Sequence, residues 1–495
     1  MKIVYNQQVL KSYINLLWPI RKTEYTKFFL VSSMMFLILL CSNSIRVLKD
    51  SIITYDFGPE AISFIKLWLE IPFGSIFVIL YYKLCNIFTT EKIFRLIVMF
   101  FLCFYGLFAY LIYPNQEFFH LNETTILYLS NQYPNLKWFI LILGKWSITL
   151  FYLFGELWPV IIFTFLFWQC ANKMTSYEES KRFYPYFNFF GQLNLLFSGY
   201  IIYILINENS FYFRIFVQSS HSLTEGTVKS VISFAILLGI LILVIHNIIE
   251  QKIMVPNNIA KEVLNLSVYQ SLNLILKNRL LIRITLMIAS YQICVNTIEV
   301  VWFSKVQQYY TTSDKFVNYQ GKVLFYTGIC AIISSLIGGF LIRKYTWLIT
   351  SILTPVIILI FGTIFFILTI FEKQLESLMT SNEFLVLWVI TFVGGLQNAI
   401  GKGMKYGVFD ITKEILYTPL NNELKTKGKA AVDILGTKFG KAISSCSQFC
   451  IFTFFPVAKI DDIVVVLMVT YVIATLIWLI TTIKIACGIN NDINK

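Results

Sequence analysis

Residues 347–371 read WLITSILTPVIILIFGTIFFILTIF, a stretch without a single charged side chain. A helix of this length, with a rise of about 1.5 Å per residue, crosses the roughly 30 Å hydrocarbon core of a bilayer. Similar runs recur along all 495 residues, of which 57% are hydrophobic and 14% charged, whereas soluble domains average about 25% charged residues. The sequence therefore predicts an all-α integral membrane protein.

The apolar runs predict twelve transmembrane helices in two six-helix halves. The predicted spans cover approximately residues 27–53, 62–82, 94–113, 138–170, 184–206, 229–249, 281–305, 321–341, 347–371, 384–404, 430–456 and 463–486. We expect a cytoplasmic N-terminal segment (1–26), an N-terminal half (27–250), a cytoplasmic linker (251–278), a C-terminal half (279–487) and a cytoplasmic tail (488–495). This layout is major-facilitator-like, and in that architecture the binding site lies between the halves near the membrane midplane. Loop 404–429 is expected to include a short surface helix.

The placement of Lys and Arg predicts the orientation of the chain. These residues concentrate in the N-terminal segment, the even-numbered loops and the C-terminal tail, and short loops rich in Lys and Arg stay on the cytoplasmic side. We therefore expect both termini in the cytoplasm. The same loops account for most of the net charge of +13, so we expect a lipid bilayer and no nucleic acid as a partner.

Charged residues inside the predicted spans are the strongest functional signal. An ionised side chain at bilayer depth costs about 2.5–3.5 kcal/mol on insertion scales, so such residues usually face a wet cavity or one another. Six cations and two carboxylates stand out: Arg46, Lys49, Lys66, Lys145, Lys438, Lys441, Glu156 and Glu299. A cationic interior indicates a carrier for an anion.

The spacing of the cations suits a polyphosphate. Arg46 and Lys49 are three residues apart, so both project from one helical face, and Lys438 and Lys441 repeat this spacing in the other half. We predict that these four residues bind the phosphates of a substrate. The alternative for Arg46 and Lys49 is that both side chains extend to the outer membrane interface.

Glu156 and Glu299 are predicted to balance this charge. A carboxylate in a cationic cavity can neutralise a lysine when the anion is absent, which would keep the empty carrier able to move. The alternative is a static ion pair that fixes helix packing. Lys66 and Glu70 have i,i+4 spacing and are interpreted as a structural pair. Lys145 lies about 16 Å along a helix from Glu156, so the two can interact only indirectly.

Several other classes of chemistry are disfavoured. Gly436 to Gly440-Lys441 and Gly395 to Gly401-Lys402 lack the spacing of a phosphate-binding loop, which argues against ATP hydrolysis. The three histidines are isolated, so no metal site and no cofactor are expected. A membrane transferase would need His-x4-Asp or Asp-x-Asp near a membrane face, and neither occurs. A channel would show rings of charge from repeated subunits.

Several short motifs stand out along the chain. They are Trp18-Pro19, Arg46-Val47-Leu48-Lys49-Asp50, Ile62-Ser63-Phe64-Ile65-Lys66, Glu156-Leu157-Trp158, Phe167-Trp168-Gln169, Lys181-Arg182-Phe183-Tyr184, Val295-Asn296-Thr297-Ile298-Glu299, Lys405-Tyr406, Phe409-Asp410, Lys413-Glu414, Pro419-Leu420, Lys427-Gly428-Lys429-Ala430-Ala431 and Gly440-Lys441. These motifs resemble those of a known family, the ATP/ADP translocases or nucleotide transporters of obligate intracellular bacteria and plastids. They follow the order of the family and span nearly the whole chain. The chain departs from the pattern at Gly155, where members commonly have Ala, and at Ala442-Ile443-Ser444, where they have Ser-Gly-Gly.

The resemblance implies a carrier that exchanges nucleotides across the bacterial inner membrane, with host ATP entering and ADP leaving. It also implies that Lys49, Glu156, Glu299 and Lys441 are critical for transport, with Lys429 as the second choice for the last position. Lys66, Lys145, Lys405 and Lys429 are secondary candidates. We expect an ATP/ADP antiporter that works by alternating access as a monomer, as part of an energy-parasitic exchange. The alternative cargoes are GTP, CTP, UTP or a nicotinamide nucleotide.

Overall fold

The computed structural model describes residues 20–253, 276, 278–378, 383–417, 420, 424 and 428–493. These residues are almost entirely helical, and no strand occurs among them. Residues 1–19 of the predicted N-terminal segment, most of the predicted linker and the last two residues of the tail lie outside this range. The all-α architecture predicted from the apolar runs is confirmed.

Long helices follow one another along the chain. We label them α1 (Tyr25–Asp56), α2 (61–87), α3 (90–112), α4 (146–174), α5 (Tyr177–Ile206), α6 (Leu223–Lys252), α7 (Arg279–Tyr309), α8 (Ser313–Lys344), α9 (Trp347–Ile370), α10 (383–415), α11 (Lys429–Phe454) and α12 (Val464–Ile493). Among the described residues, ten helices are long and apolar enough to cross a membrane, and α2 and α11 are not among them. The number of twelve spans therefore stays a prediction.

Two of the predicted spans differ from the helices that form. The predicted fourth span is interrupted, because one helix ends at Gly144 and α4 begins at Trp146, with Lys145 outside helical geometry at φ −108° and ψ 48°. The tenth helix runs on to Ile415 instead of ending near residue 404, through a π-helical turn at Lys405–Phe409. The residues assigned to a separate surface helix thus extend α10.

The close packing of α10 against α8 explains this extension. A Cβ atom on Gly407 would lie 2.5 Å from the Cβ of Ser334, so the absence of a side chain lets the two helices touch. This contact holds the π-helical turn inside the bundle. A loop at this point would leave those backbone groups unsatisfied in an apolar environment.

Helices α1–α6 and α7–α12 form an N-terminal and a C-terminal group, which pack most extensively between α5 and α8 and between α2 and α11. Between α5 and α8, a Cβ atom on Gly199 would lie 2.5 Å from the carbonyl oxygen of Gly321, so only glycine permits this approach. Between α2 and α11, the rings of Phe64 and Phe449 lie 5.0 Å apart in an edge-to-face arrangement. Both pairs join the N-terminal group to the C-terminal group, as expected for two halves that enclose a site.

We call the end of the bundle that carries residues 20 and 493 the termini face, and the end that carries the turn at residues 57–60 the far face. At the far face the halves are joined directly. The Ser51 hydroxyl donates to the carbonyl of Ser313 (3.0 Å), and the side-chain amide of Gln307 donates to the carbonyl of Thr54 (2.8 Å). The Tyr55 hydroxyl also donates across this interface, to the backbone carbonyl of residue 310.

The termini face has a different pattern of contacts. Described ion pairs there lie within one half, among them Glu24 with Arg182, Lys27 with Glu179, Lys413 with Asp433, and Lys429 with Glu414. Between the midplane and this face, the Ser335 hydroxyl donates to Gln192 Oε1 at 2.9 Å and joins α8 to α5. Among the described residues, polar contacts between the halves are thus concentrated at the far face, which corresponds to a bundle closed at that face.

Candidate functional site

Lys49 is the most deeply buried cation of the site, with a side chain only 2% exposed. Its ammonium nitrogen lies 2.5 Å from Asp50 Oδ1 and 2.7 Å from Glu156 Oε1. It also lies 4.0 Å from the centre of the Tyr152 ring, which adds a cation–π contact. A Cβ atom on Gly155 would sit 2.5 Å from Lys49 Cδ, so this glycine makes room for the lysine chain. The predicted pairing of a cation in α1 with Glu156 is therefore present.

Lys441 joins the two halves through carboxylates. Its ammonium donates to Glu70 Oε1 at 2.9 Å and to Glu156 Oε2 at 3.0 Å. Glu156 thus lies between two lysines, one on α1 of its own half and one on α11 of the other half. This arrangement lowers the electrostatic cost of holding cations close together in a low-dielectric interior.

A second cluster lies beside the first, around a cavity between the halves. Arg46, Asp50, Glu299 and Lys402 line this cavity. The ammonium of Lys402 lies 2.7 Å from Glu299 Oε1, within the C-terminal half. No ion pair within 4.0 Å is described for Arg46, so its guanidinium is the cation of this cavity with the fewest partners among the described residues.

Polar side chains that carry no formal charge complete the cavity. Gln320, Thr327 and Asn398 line it. Among the described residues, the side-chain nitrogen of Gln320 is buried without a hydrogen-bond partner. Lys66, on α2, donates to Asn296 Oδ1 at 3.2 Å across the interface, and the Asn296 amide nitrogen is likewise buried without a partner. Burying such donors without a hydrogen-bond partner is unfavourable, so a polar ligand that accepts hydrogen bonds from them would be stabilised.

The structural pair predicted between Lys66 and Glu70 is not the arrangement that the structure describes. Lys66 contacts Asn296, and Glu70 contacts Lys441. Both residues belong to the π-helical turn Ile65–Glu70, in which the hydrogen bonds run from i to i+5. Residues four apart no longer align on such a turn, which directs the two side chains to different partners in the opposite half.

The other candidate cations lie outside the two clusters. Lys145 is near the far face, 3.9 Å from Asp56 and 3.8 Å from Glu123. Three more belong to the C-terminal half. Lys405 pairs with Asp410 (3.1 Å), Lys429 pairs with Glu414 (2.6 Å), and Lys438 is exposed.

Lys438 and Lys441 were expected to present their ammonium groups side by side. The structure brings Lys441 into the central cluster and leaves Lys438 exposed, so the two differ in environment despite their spacing.

Three residues of the site were missed by the sequence analysis: Asp50, Glu70 and Lys402. Each lies inside a predicted span, so the criterion that selected Lys49 also applies to them. In the sequence, Lys402 stands in a glycine-containing segment without phosphate-loop spacing, and Glu70 stands four residues after Lys66, so neither pattern indicates a contact between the halves. The signal common to all three residues is an ionisable side chain within an apolar span.

The arrangement can exchange internal carboxylates for an external anion. Lysine ammonium groups each provide several donors, and carboxylates and phosphates are both acceptors of charge-assisted hydrogen bonds. A polyphosphate entering the cavity can therefore take the place of Glu156, Glu299 or Glu70 on their lysines. The site contains carboxylates and cations in the balance that this competition requires.

Comparison with known proteins agrees with this geometry. The family model described as "TLC ATP/ADP transporter" matches residues 5–487. ADP,ATP carrier protein 4 of Rickettsia felis is 37% identical over 476 residues, which cover 94% of this chain and 92% of that protein. ADP,ATP carrier protein 3 of Rickettsia conorii is 35% identical over 481 residues, covering 95% of this chain and 96% of that protein.

Solved structures with a similar fold are transporters of low sequence identity. A D-xylose–proton symporter aligns with a TM-score of 0.56 and 13% identity, over 93% of this chain and 96% of that one. A bacterial homologue of the iron transporter ferroportin aligns with a TM-score of 0.55 and 12% identity, over 91% of this chain and 98% of that one. These similarities confirm the major-facilitator-like fold, and the chain belongs to the TLC family of ATP/ADP transporters.

Proposed function

We propose that this protein is a nucleotide antiporter that exchanges external ATP for internal ADP by alternating access. The observation that carries the proposal is the convergence of Lys49, Lys441, Lys402 and Arg46 between the halves, with the three lysines paired to carboxylates. The phosphates of a nucleotide would replace those carboxylates. Relatives named ADP,ATP carrier proteins over most of the chain support the same cargo.

The roles of the individual residues follow from their partners. Lys49 and Lys441 share Glu156, so a phosphate group that approaches Glu156 reaches both ammonium groups. Arg46 and Lys402 line the adjoining cavity, where they can contact a second phosphate. Glu156 and Glu299 hold the lysines when the site empties. Two neighbouring clusters of cations suit an anion whose charge is spread over several phosphates better than they suit a single compact anion.

We propose a bacterial inner-membrane location with both termini in the cytoplasm, as the positions of Lys and Arg indicate. With this orientation the termini face is cytoplasmic, and the closed far face corresponds to an inward-facing carrier. ADP would then bind from the inside in this conformation, and ATP would bind from outside after the halves rock. The monomer contains both halves of the site, which supports function as a monomer.

Uptake of labelled nucleotides by cells that express the chain tests the proposal. We expect uptake of labelled ATP, and release of preloaded label when external ADP is added. Lys49→Ala and Glu299→Ala should abolish exchange while the protein still inserts. Lys373→Ala is the matched control, because Lys373 is exposed on the short helix Glu372–Leu378. Wild-type rates in both site variants would contradict the site assignment.

The cargo itself is tested by competition. Unlabelled GTP, CTP, UTP and a nicotinamide nucleotide are each added in excess during uptake of labelled ATP. We expect ADP and ATP to suppress uptake most strongly. Stronger suppression by another nucleotide, together with exchange of that nucleotide, would reassign the cargo and leave the antiport mechanism in place.

A further inference from the structure

Glu70 occupies an unusual position among the carboxylates of the site. Lys402 with Glu299 is an ion pair within one half, and Glu156 pairs with Lys49 of its own half as well as with Lys441 of the other. The described ion pair of Glu70 lies entirely across the interface: it joins α2 of the N-terminal half to Lys441 on α11 of the C-terminal half, with 2.9 Å between Oε1 and the ammonium nitrogen. A relative motion of the halves acts directly on this contact.

The contact lies at one end of the strip along which α2 and α11 touch. Toward the far face, Phe449 packs against Phe64 at 5.0 Å and against Trp68 at 5.7 Å between ring centres. Beyond them, the backbone N–H of Ile460 donates to Glu60 Oε1 at 3.2 Å. Opening the far face requires this strip to part. Separating Glu70 from Lys441 without replacement would leave charges in a poorly solvated interior, which is strongly unfavourable.

A phosphate group can supply the replacement. The Lys441 ammonium has three donors, and two of them go to Glu70 and Glu156. The second oxygen of Glu70 is buried without a hydrogen-bond partner among the described residues. Glu70 is thus held by one described hydrogen bond, through Oε1. A phosphate oxygen that binds Lys441 in place of Glu70 would need to replace only this hydrogen bond.

We propose that Glu70 is a positioning residue for the exchange reaction, which holds Lys441 across the interface in the empty carrier and yields it to a nucleotide phosphate. The halves then reorient readily only when the site is loaded, so transport is coupled to exchange. This role rests on the proposed function of nucleotide antiport. It gives Glu70 a role distinct from that of Glu156, which also pairs with Lys49.

The test measures the leak of nucleotide that occurs without exchange. Purified protein is reconstituted into liposomes loaded with labelled ADP, and efflux is recorded with and without external ATP. We define the leak ratio as the rate of efflux without external ATP divided by the rate of efflux with external ATP. In Glu70→Gln, this leak ratio should rise about tenfold. Loss of one charge-assisted hydrogen bond corresponds to about 1.4 kcal/mol, which is a factor of ten in a population.

Two further variants make the result specific. Glu70→Asp keeps the charge but shortens the reach toward Lys441, so its leak ratio should lie between those of the wild type and Glu70→Gln. Glu91→Gln is the matched control, because Glu91 pairs with Lys173 inside the N-terminal half, and its ratio should equal that of the wild type. If Glu70→Gln fails to insert, Glu70→Asp carries the test alone.

The outcomes separate this role from the function on which it rests. Exchange by the wild-type protein tests antiport itself, and its absence for every nucleotide would reject the proposed function together with this inference. Wild-type exchange combined with an unchanged leak ratio in the Glu70 variants overturns only the role of Glu70. An equal fall of both effluxes would also overturn it, since a merely structural residue affects both alike.

Discussion

Replacing Lys49 and Glu156 singly and together separates the contribution of their ion pair to stability from its contribution to transport. The change is Lys49→Met, Glu156→Gln and the double variant. Lys49 contacts two carboxylates at 2.5 and 2.7 Å and is 2% exposed, so removal of its charge leaves Asp50 without its described cation. Removing one partner of a buried pair typically destabilises a protein by about 3–5 kcal/mol.

The two single substitutions should lower the free energy of unfolding by different amounts. In Glu156→Gln, Lys49 keeps its contact with Asp50, and Lys441 keeps its contact with Glu70. We therefore expect the free energy of unfolding to fall by about 2 kcal/mol, which is below the range for an isolated pair. Lys49→Met should lose about 4 kcal/mol, because no other cation is described within 4.0 Å of Asp50. The double variant should lose about 2 kcal/mol less than the sum, since the interaction between Lys49 and Glu156 is then counted once, while Asp50 stays without its described cation.

Thermal unfolding of the purified proteins in detergent ranks the variants, with tryptophan fluorescence as the signal. The shift in apparent Tm of the double variant should be smaller than the sum of the two single shifts. Nucleotide exchange should be absent from all three, because each variant lacks Lys49, its carboxylate partner Glu156, or both. Additive shifts would refute a direct energetic coupling, and wild-type exchange by the double variant would refute the assignment of both residues to the site.

Three further predictions concern residues that differ in exposure. Lys402→Gln should lower the exchange rate at least about tenfold, because it removes a cation from the cavity. Lys438→Gln should change the exchange rate less than about twofold, because this lysine is exposed. Equal losses in the two variants would reject the assignment of Lys402, and not Lys438, to the site. Gly155→Ala should displace the methylene chain of Lys49, because the new Cβ would lie 2.5 Å from Lys49 Cδ. We expect the KM for ATP to change less than about fivefold and the protein yield to stay unchanged. Loss of the protein from the membrane would contradict this prediction. Burial at the closed far face raises the pKa of the Glu60 carboxyl, so the protonated carboxyl favours the closed far face. This contribution is fully present below the ordinary pKa of the group and is lost as the pH rises through the raised pKa. Exchange should therefore slow as the external pH falls through this interval, and Glu60→Gln should remove that dependence; an identical pH profile in the variant would reject it.

The fold could be predicted from the sequence because its strongest determinants are local. An apolar run long enough to cross a bilayer predicts a helix with little reference to its neighbours, since lipid leaves the backbone few alternatives. The interruption at Lys145 and the continuation of α10 through residues 405–415 were not predicted. The continuation of α10 depends on a contact distant in sequence, that of Gly407 with Ser334.

The site was predicted in composition and only partly in its pairing. Charge at membrane depth singled out Lys49, Glu156, Glu299 and Lys441, which the structure places between the halves, and their role in transport stays a prediction. Spacing was a weaker guide, because the position of a side chain around a helix is settled by packing against other helices. Lys438 shares the three-residue spacing of its neighbour and is nevertheless exposed.

The distribution of ion pairs between and within the halves bears on how an exchanger differs from a carrier that can return empty. A carboxylate that neutralises a lysine of the same half lowers the charge of the empty site and leaves the halves free to move. This description fits Lys402 with Glu299, which both belong to the C-terminal half. A carboxylate that holds a lysine of the opposite half also lowers the charge, but it ties the halves together, as Glu70 does with Lys441 and as Glu156 does through its second oxygen. Neutralisation alone would permit the empty carrier to return, whereas the interface pair opposes that return until phosphate replaces the carboxylate. The same electrostatic balance that makes a cationic cavity tolerable in a membrane can therefore also make transport conditional on cargo.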